Sequence, residues 1–382
     1  MERALQRIFR VGFETYSQGR RLPRHYHTNA YWIQHCRTAR LGGHAEYCEN
    51  GHLHRVQYNS CHTRSCPQCN GLVRERWLER QKERLLRCGH RHIIFTIDHG
   101  LNPLWRCNRR EMADVLFRAA AETLKTFTQD PRYLGGTPGV LLGLHTWTRT
   151  LGLHPHIHAL VSEGGLDARG QWCAAKRDFF LPARAVMAMF RGKMLDFVRR
   201  GVVEDRLRLP AGVRRQQMLN RLNRMGRKKW NVRIEQRYAH GAGVATYLAR
   251  YLRGGPVRDR QLSLEGRTVS FRPRVRSGAE RLPVMRMPAE AFVARVLQHL
   301  PEPQRPTIRR VGLYTPCKQS ALNRARGHLL QRPVVEDTPR LDVQEYCRRV
   351  FGQPPSRVCA TCGAPVDLAR RVPRAHDPPP LL

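Results

Sequence analysis

His154-Pro155-His156-Ile157-His158 is the stretch that decides the expected fold of this chain, together with the apolar run Ala159-Leu160-Val161 that follows it. Every second residue of the first five is a histidine, and alternate side chains of a β-strand lie on one face. Isoleucine between the histidines and the apolar run after them are typical of a buried strand. We therefore expect a strand over 155–162, with His154, His156 and His158 on the same face.

Strand-like and helix-like patterns alternate on both sides of the histidine strand. We predict strands at 92–97, 139–147, 232–235 and 268–271, and helices at 110–127, 182–198 and 244–252. Their order, β-α-β-β-α-β-α-β, predicts an α+β domain with a central antiparallel sheet. The histidine strand would be central in that sheet, and the helix over 244–252 would pack nearby.

A second short string, Tyr247-Leu248-Ala249-Arg250-Tyr251, places two tyrosines four residues apart. On a helix this spacing puts both hydroxyl groups on one face, one turn apart. Imidazoles that hold a metal and a tyrosine hydroxyl can together attack a phosphodiester and keep the cut end covalently attached. Alone, either string is more often structural, but their co-occurrence in so basic a chain favours catalysis.

The charge of the chain points to nucleic acid as its partner. It has 68 Lys and Arg against 30 Asp and Glu in 382 residues, a formal net charge of +38. Between Arg199 and Arg237 there are 13 basic and 3 acidic residues. We expect this stretch to follow a DNA backbone rather than to be a merely solvated helical face. The candidate DNA-binding residues are its densest part, Arg224, Arg227, Lys228 and Lys229.

The chain lacks the sequence features of an exported or membrane protein. No apolar run approaches the roughly 20 residues of a membrane span, and the first residues lack a secretory core. We expect a cytoplasmic protein, nucleoid-associated when bound to DNA, with no membrane partner. Its twelve cysteines should then be reduced, and closely spaced ones indicate metal ligands rather than disulfides.

Cys61, Cys66 and Cys69 form the strongest local metal signal, because a Cys-Pro-x-Cys turn is typical of a zinc knuckle. The turn supplies two thiolates, those of Cys66 and Cys69, to one Zn²⁺ ion. A second pair of ligands must come from upstream, where Cys48-Glu49-Asn50-Gly51-His52 resembles a second knuckle. The first choice is Cys48, His52, Cys66 and Cys69. Cys36 and Cys61 are close rivals, His44 and His54 are also available, and two zinc ions would fit as well.

The tail contains another knuckle-like turn, Cys359-Ala360-Thr361-Cys362-Gly363, which Cys317 or Cys347 could complete. Composition divides the chain into three regions. We expect a zinc-binding DNA-recognition module over 1–88, a nuclease domain over 89–275, and a basic, partly irregular C-terminal region over 276–382.

These motifs closely resemble those of the insertion-sequence-91 family of bacterial rolling-circle transposases, which belong to the HUH (histidine-hydrophobe-histidine) endonucleases. The resemblance covers about residues 30 to 275. The matching segments, in the family's order, are Ser60 to Cys69, Leu144-His145-Thr146-Trp147, His154 to His158, and Tyr247 to Tyr251. The chain departs from the family's frequent CxxC first knuckle, since Cys48 is followed by Gly51 and His52, which leaves the zinc ligands open.

The resemblance implies a nuclease domain on a ferredoxin-like sheet behind an N-terminal zinc module. It implies that His156 and His158 bind Mg²⁺ or Mn²⁺. A tyrosine would attack single-stranded DNA at the transposon ends, leaving a 5′-phosphotyrosine link and a free 3′-hydroxyl, and both Tyr247 and Tyr251 would take part. His145, on the neighbouring predicted strand, could complete the metal site, with His154 as a further ligand or an orienting partner.

Three other functions fit parts of the same pattern. A plasmid replication initiator or a relaxase would use the same chemistry at a different DNA site, and the cysteine-rich head favours the transposase over both. A zinc-dependent DNA-binding regulator would have no nuclease activity, so it would form no covalent adduct with DNA. A metal-dependent hydrolase of small phosphates would fit the histidines but not the charge.

Overall fold

The computed structural model describes residues 3–175, 181–239, 255–274, 282–334 and 340–375. Tyr247 and Tyr251, and the helix predicted over 244–252, lie outside the described residues. The N-terminal part contains α1 (Ala4–Ser17), α2 (Arg24–His35), β1 (Gly43–Cys48), β2 (Leu53–Tyr58) and α3 (Asn70–Arg84).

The central part alternates strands and helices, as the sequence pattern predicts. It contains β3 (His90–Thr96), α4 (Asn102–Cys107), α5 (Arg109–Gln129), β4 (Thr137–Trp147), β5 (Leu153–Leu166), β6 (Trp172–Ala174), α6 (Ala183–Val203), α7 (Arg215–Gly226) and β7 (Asn231–Tyr238). The C-terminal part contains β8 (Leu262–Glu265), β9 (Thr268–Phe271), β10 (Met285–Pro288), α8 (Ala289–Leu297), β11 (Ile308–Gly312), α9 (Gln319–His328), α10 (Val343–Phe351) and β12 (Val366–Val372).

The histidine strand is central in the largest sheet, which confirms the α+β, antiparallel prediction. The strand order is β11-β4-β5-β3-β7, with the short β6 paired to the end of β5, and every pair is antiparallel. In the register, His156 lies opposite His145 on β4 and opposite Thr96 on β3. The two central strands therefore bring histidines together that are eleven positions apart in the sequence.

The two faces of this sheet have different partners because side chains alternate along each strand. Ile157, Ala159 and Val161 of β5 belong to the core formed with α5, α6 and α7. On the other face, Leu160 of β5 belongs to a second core that includes Trp77 of α3 and Leu322 of α9. His156 and His158 share the face of Leu160, so they lie on the side of the sheet away from α5 and α6.

Helix α7 forms within the basic stretch that was predicted only as a charged, DNA-tracking segment. Met218, Leu222 and Met225 are buried at positions i, i+4 and i+7, which is one face of a helix. A count of basic and acidic residues does not reveal this spacing, because polar residues fill most of the other positions of the helix. The stretch is therefore an amphipathic helix whose polar face is exposed.

The short strands of the C-terminal part pair into three different sheets. The strand predicted at 268–271 forms as β9, but it pairs with β8 and β10 in a separate sheet. The edge of the central sheet beside β4 is instead β11. In a third sheet, β12 pairs with β1 of the N-terminal hairpin. The partly irregular C-terminal region predicted over 276–382 thus contains short elements, and two of its strands, β11 and β12, complete sheets begun much earlier in the chain.

Candidate active site and metal clusters

Three histidines from the two central strands form a compact cluster. His145 on β4 and His156 and His158 on β5 each have a ring nitrogen within 4.8 Å of the other two. The Nε2 atoms of His156 and His158 are 3.1 Å apart. Two cis ligands about 2.1 Å from an octahedral ion stand about 3 Å apart, so the spacing fits one divalent cation. All three side chains are buried.

Burial keeps the imidazoles of His156 and His158 neutral, which is the form that binds metal. Desolvation lowers the pKa of His156 to about 4 and that of His158 well below its ordinary value. Nδ1 of His156 lies 2.6 Å from the carbonyl oxygen of His154 and donates to it, which leaves Nε2 as the free nitrogen. This fixed tautomer is the usual arrangement of a metal-ligating histidine.

His92 orients the second histidine of the cluster. It lies on β3, next to β5, and its Nε2 is 2.8 Å from Nδ1 of His158, with the two rings stacked at 5.0 Å between centroids. In the tautomer with Nε2 of His158 unprotonated, the Nδ1–H of His158 donates to Nε2 of His92. Burial lowers the pKa of His92 to about 4, against an opposing effect of Glu235 on β7. His92 was not predicted from the sequence.

His154 does not join the cluster, although it was predicted on the same face. Its Nδ1 is 2.8 Å from Nε2 of His99, in the turn after β3, and its backbone carbonyl is the acceptor for His156. The structure thus favours His145 as the third histidine. His154 is left as an orienting neighbour, because its ring lies further towards the end of the strand.

Four cysteines form a second cluster in the N-terminal part. Cys36 follows α2, and Cys61, Cys66 and Cys69 come from the loop that leads into α3; all four Sγ atoms lie within 4.8 Å of one another. The Sγ atoms of Cys61 and Cys69 are 3.5 Å apart, and those of Cys36 and Cys66 are 3.7 Å apart. Thiolates about 2.3 Å from a tetrahedral zinc ion stand about 3.8 Å apart, so the cluster fits zinc.

The structure does not bring together the first-choice zinc ligands. Cys66 and Cys69 lie with the two rivals, Cys36 and Cys61, whereas Cys48 and His52 lie with Cys359 and Cys362 of the tail. Neither Cys317 nor Cys347 is in either cluster, and the same holds for His44 and His54. The Cys66 knuckle was visible in the sequence, but its pairing was not, because ligand spacing along the chain does not say which knuckles face each other.

Comparison with known proteins gives the family. The family model described as "Transposase zinc-binding domain", that of IS91 transposases, matches residues 8–97, and one described as "Putative transposase" matches residues 139–321. The chain is 35% identical over 277 residues to "Putative transposase y4qJ" of Sinorhizobium fredii, covering 71% of this chain and 70% of that protein.

The chain belongs to the IS91 family of transposases. It is also 28% identical over 355 residues to the transposase for insertion sequence element IS801 of Pseudomonas savastanoi pv. phaseolicola, covering 86% of this chain and 80% of that protein. No solved structure matches it. As a member of this family the chain is a transposase, an enzyme that cleaves DNA, and it carries a zinc-binding domain.

The two matched regions of this transposase contain different candidate residues. The zinc-binding region, 8–97, spans Cys36 to Cys69 and so includes the whole four-cysteine cluster. The transposase region, 139–321, spans the three clustered histidines and both candidate tyrosines. Cys359 and Cys362 lie beyond both matches.

The candidate DNA-binding residues lie at the same end of the central sheet as the histidines. Arg224, Arg227, Lys228 and Lys229 are exposed at and after the end of α7. Nζ of Lys228 is 4.0 Å from a carboxylate oxygen of Asp98, two residues after Thr96, the register partner of His156. These residues therefore lie at the histidine end of the sheet, although α7 itself packs on the face opposite to the cluster. Among the described residues, no helix is long and apolar enough to cross a bilayer.

Proposed function

We propose that this transposase is a metal-dependent HUH endonuclease that cuts and rejoins single-stranded DNA at the ends of its element. In this proposal, rolling-circle transposition proceeds through a 5′-phosphotyrosine intermediate. The observation that carries the proposal is the cluster of His145, His156 and His158 on adjacent central strands. Two of these residues form the His-Ile-His string, in which an apolar residue separates two histidines on one face.

The strand order supports a ferredoxin-like nuclease sheet. The chain runs β3-α5-β4-β5-α6-β7, and the four strands stand in the order β4-β5-β3-β7. This is the split β-α-β arrangement, in which each helix connects two parallel strands that flank a third, antiparallel one. Both helices cover one face, which leaves the opposite face of β5 for the histidines. β11 extends this sheet, so the proposed nuclease domain over 89–275 also takes a strand from the C-terminal region.

The histidine cluster would hold Mg²⁺ or Mn²⁺ through ring nitrogens. A divalent ion bound there would polarise the scissile phosphate and stabilise the charge that develops on it. Neutral imidazoles fit this role, and as softer donors than carboxylates they favour Mn²⁺ over Mg²⁺. We therefore expect Mn²⁺ to support activity at lower concentrations than Mg²⁺.

In this proposal the nucleophiles are Tyr247 and Tyr251, which belong to residues 240–254, outside the described part of the chain; the described residues on either side of that stretch lie at the two ends of the central sheet. On one side, β7 ends at Tyr238, opposite His90 at the far end of β3. On the other side, a side chain on Gly255 would meet the backbone of Ser65 in the zinc loop. Val257 shares a buried cluster with Leu151, in the turn that joins the two histidine strands. The two flanks thus lie at opposite ends of the sheet.

The reaction that we propose exchanges one phosphodiester bond for another, so the number of such bonds does not change. A tyrosine phenol loses its proton to solvent, its oxygen forms a bond to phosphorus, and the bond from phosphorus to the 3′ oxygen breaks. The 3′ oxygen takes up a proton and becomes a free hydroxyl, while the 5′ end stays linked to the enzyme. Rejoining is the reverse attack by a 3′-hydroxyl on the phosphotyrosine, so it needs no ATP. Two tyrosines would allow one end to stay bound while the second hydroxyl attacks another strand.

The test is covalent capture of DNA. Radiolabelled single strands that cover both ends of the element are incubated with the protein and Mn²⁺, and the products are separated under denaturing conditions. We expect a protein–DNA adduct with single strands, and none with EDTA or with fully duplex DNA. Cleavage that yields only free DNA fragments, or DNA binding without any cleavage, would contradict the proposal.

A further inference from the structure

Two turns far apart in the sequence have similar local structures. In the first, Cys48 N–H donates to the carbonyl of His52 and Gly51 N–H to that of Cys48; in the second, Cys359 N–H donates to the carbonyl of Ala364 and Gly363 N–H to that of Cys359. Gly51 and Gly363 both have positive φ angles, +78° and +72°, which glycine adopts without strain. Each turn is thus a knuckle that presents two metal-binding side chains.

The four side chains of these knuckles face one another at ligand distances. The Sγ of Cys48 is 3.5 Å from Nδ1 of His52 and 3.7 Å from Sγ of Cys362, and the latter two atoms are 3.4 Å apart. Cys359 completes the set, with all four atoms within 4.8 Å of one another. A tetrahedral zinc ion separates such ligand pairs by about 3.5 to 3.8 Å, much more than the roughly 2 Å of a disulfide.

The side chain of Asn50 stabilises the negative charge that a thiolate of Cys362 would carry. Nδ2 of Asn50 lies 3.4 Å from Sγ of Cys362 and donates to it. Such donors stabilise a metal-bound thiolate and fix its orientation. Asn50 belongs to the first knuckle and Cys362 to the second, so this contact also spans the two ends of the chain.

The apolar contacts at this junction are too few to hold it without help. The buried cluster there consists of Cys48, Cys359, Ala364 and Val366 only, and residues 367–371 of β12 are exposed. Nevertheless β12 pairs along the whole of β1, from Cys48 opposite Val366 to Gly43 opposite Val372. Small structures with so little core generally need a metal or a disulfide.

We propose that Cys48, His52, Cys359 and Cys362 bind a second structural zinc ion, which forms a zinc ribbon from the two ends of the chain. The ion fastens β12 to the β1–β2 hairpin across more than three hundred positions of sequence. It thereby keeps Arg370, which lies over the ring of Tyr47, beside the zinc-binding domain. This site is separate from the four-cysteine cluster and does not depend on the nuclease chemistry proposed above.

Zinc content of the purified full-length protein is the first test. We expect two zinc ions per chain by elemental analysis, and one in the double variant Cys359→Ser/Cys362→Ser. Cys66→Ser/Cys69→Ser should remove the other ion. Cys317→Ser, which changes an exposed thiol outside both clusters, should retain two. One zinc ion in the wild-type chain, or two in Cys359→Ser/Cys362→Ser, would overturn the proposal.

Hydrogen exchange separates loss of the ion from general unfolding. In Cys359→Ser/Cys362→Ser we expect the amides of 366–372 to lose protection, while those of α3, next to the four-cysteine cluster, keep it. His52→Ala should weaken binding of the second ion, and His52→Cys should restore it as a fourth thiolate. Unchanged protection of 366–372 in the double variant, or loss of the ion in His52→Cys with α3 still protected, would contradict the assignment.

Discussion

At the scale of single residues, metal binding by the histidine cluster depends on which nitrogen of each ring carries the proton. His156 is oriented by a carbonyl two residues earlier on its own strand, and His158 by a side chain on the neighbouring strand. The first contact is local and the second is not. Replacing a histidine of the cluster should therefore affect metal binding more than replacing His92, which only orients His158.

Replacing either histidine of the His-Ile-His string should abolish cleavage. We expect His156→Ala and His158→Ala each to lower the rate of single-strand cleavage by roughly 10³-fold or more, since a metal ion contributes several kcal/mol to the stabilisation of such a reaction. Binding of the same DNA should change little. His328→Ala, on α9 and bonded to the carbonyl of Gly170, is the control. Full cleavage by either variant in Mg²⁺ would remove the metal site from these residues.

Removing His92 should weaken metal binding without removing the site. Orienting partners of this kind typically contribute a factor of about 10 to 100 in metal affinity. We expect His92→Ala to raise the Mn²⁺ concentration for half-maximal cleavage by that factor, with the maximal rate largely recovered at saturating Mn²⁺. His92→Gln, which retains a polar group near Nδ1 of His158, should lie in between. A lower maximal rate at an unchanged Mn²⁺ requirement would show that His92 acts in another way.

The sequence predicts part of this site, for a physical reason. The two-residue period of a strand places His156 and His158 on one face from spacing alone, and the neighbouring predicted strand made His145 a candidate. His92 could not be found in that way. It lies 66 positions before His158, and only the register of β3 against β5 brings the two rings together.

At the scale of secondary-structure elements, the end of α7 is a compact cationic segment at the histidine end of the central sheet. Lys228→Ala/Lys229→Ala should weaken binding of single-stranded DNA at every sequence tested, because contacts with phosphates carry no sequence information. The slope of log affinity against log salt should decrease by about 1.4 in magnitude, or about 0.7 for each charge removed.

The matched control for this prediction is Lys125→Ala/Arg132→Ala. Both residues are exposed near the end of α5, beside the beginning of β4 and hence at the other end of the sheet from His145. The salt slope should change little in this control. An equal decrease in both double variants would indicate that DNA binds through the overall charge rather than through this segment.

Periodic patterns in the sequence predicted the long helices and strands. They did not predict β11 or the pairing of the zinc knuckles, because both depend on contacts between distant parts of the chain. Strands β3, β4 and β5 and helices α5 and α6 carry an uninterrupted apolar period, so their existence follows from the sequence. β11 has only five residues, and it pairs with a strand about 170 positions earlier. Likewise, the two zinc clusters use knuckles that local spacing detects but cannot match with each other.

At the scale of the whole molecule, one buried network joins the C-terminal region to the central sheet. Tyr314, after β11, accepts from the backbone N–H of Leu86 and lies 2.7 Å from Nε2 of His90 on β3. Nδ1 of His90 is 2.9 Å from the carbonyl of Cys88 and donates to it. His90 thus accepts from the tyrosine hydroxyl in its neutral form, and burial lowers its pKa to about 4.

This network should make the protein less stable in mild acid. Above pH 6.5 His90 is neutral in both states, and its full contribution is present. As the pH falls below 6.5 the unfolded chain binds a proton that the folded chain does not. Stability is therefore lost progressively until about pH 4, by about 2 kcal/mol at pH 5. Guanidinium unfolding at pH 7.5 and pH 5 should show a smaller difference in His90→Gln than in the wild type, and an equal difference would contradict this.

The central claim is that a tyrosine of this chain becomes covalently linked to the 5′ end of the cut DNA. Digestion of the adduct and mass spectrometry should find the phosphonucleotide on Tyr247 or Tyr251. We expect Tyr247→Phe and Tyr251→Phe each to stop transposition, and the double variant to form no adduct. Tyr133→Phe, which packs on Phe127, should behave as the wild type. An adduct on neither Tyr247 nor Tyr251, or one that persists in the double variant, would contradict the account.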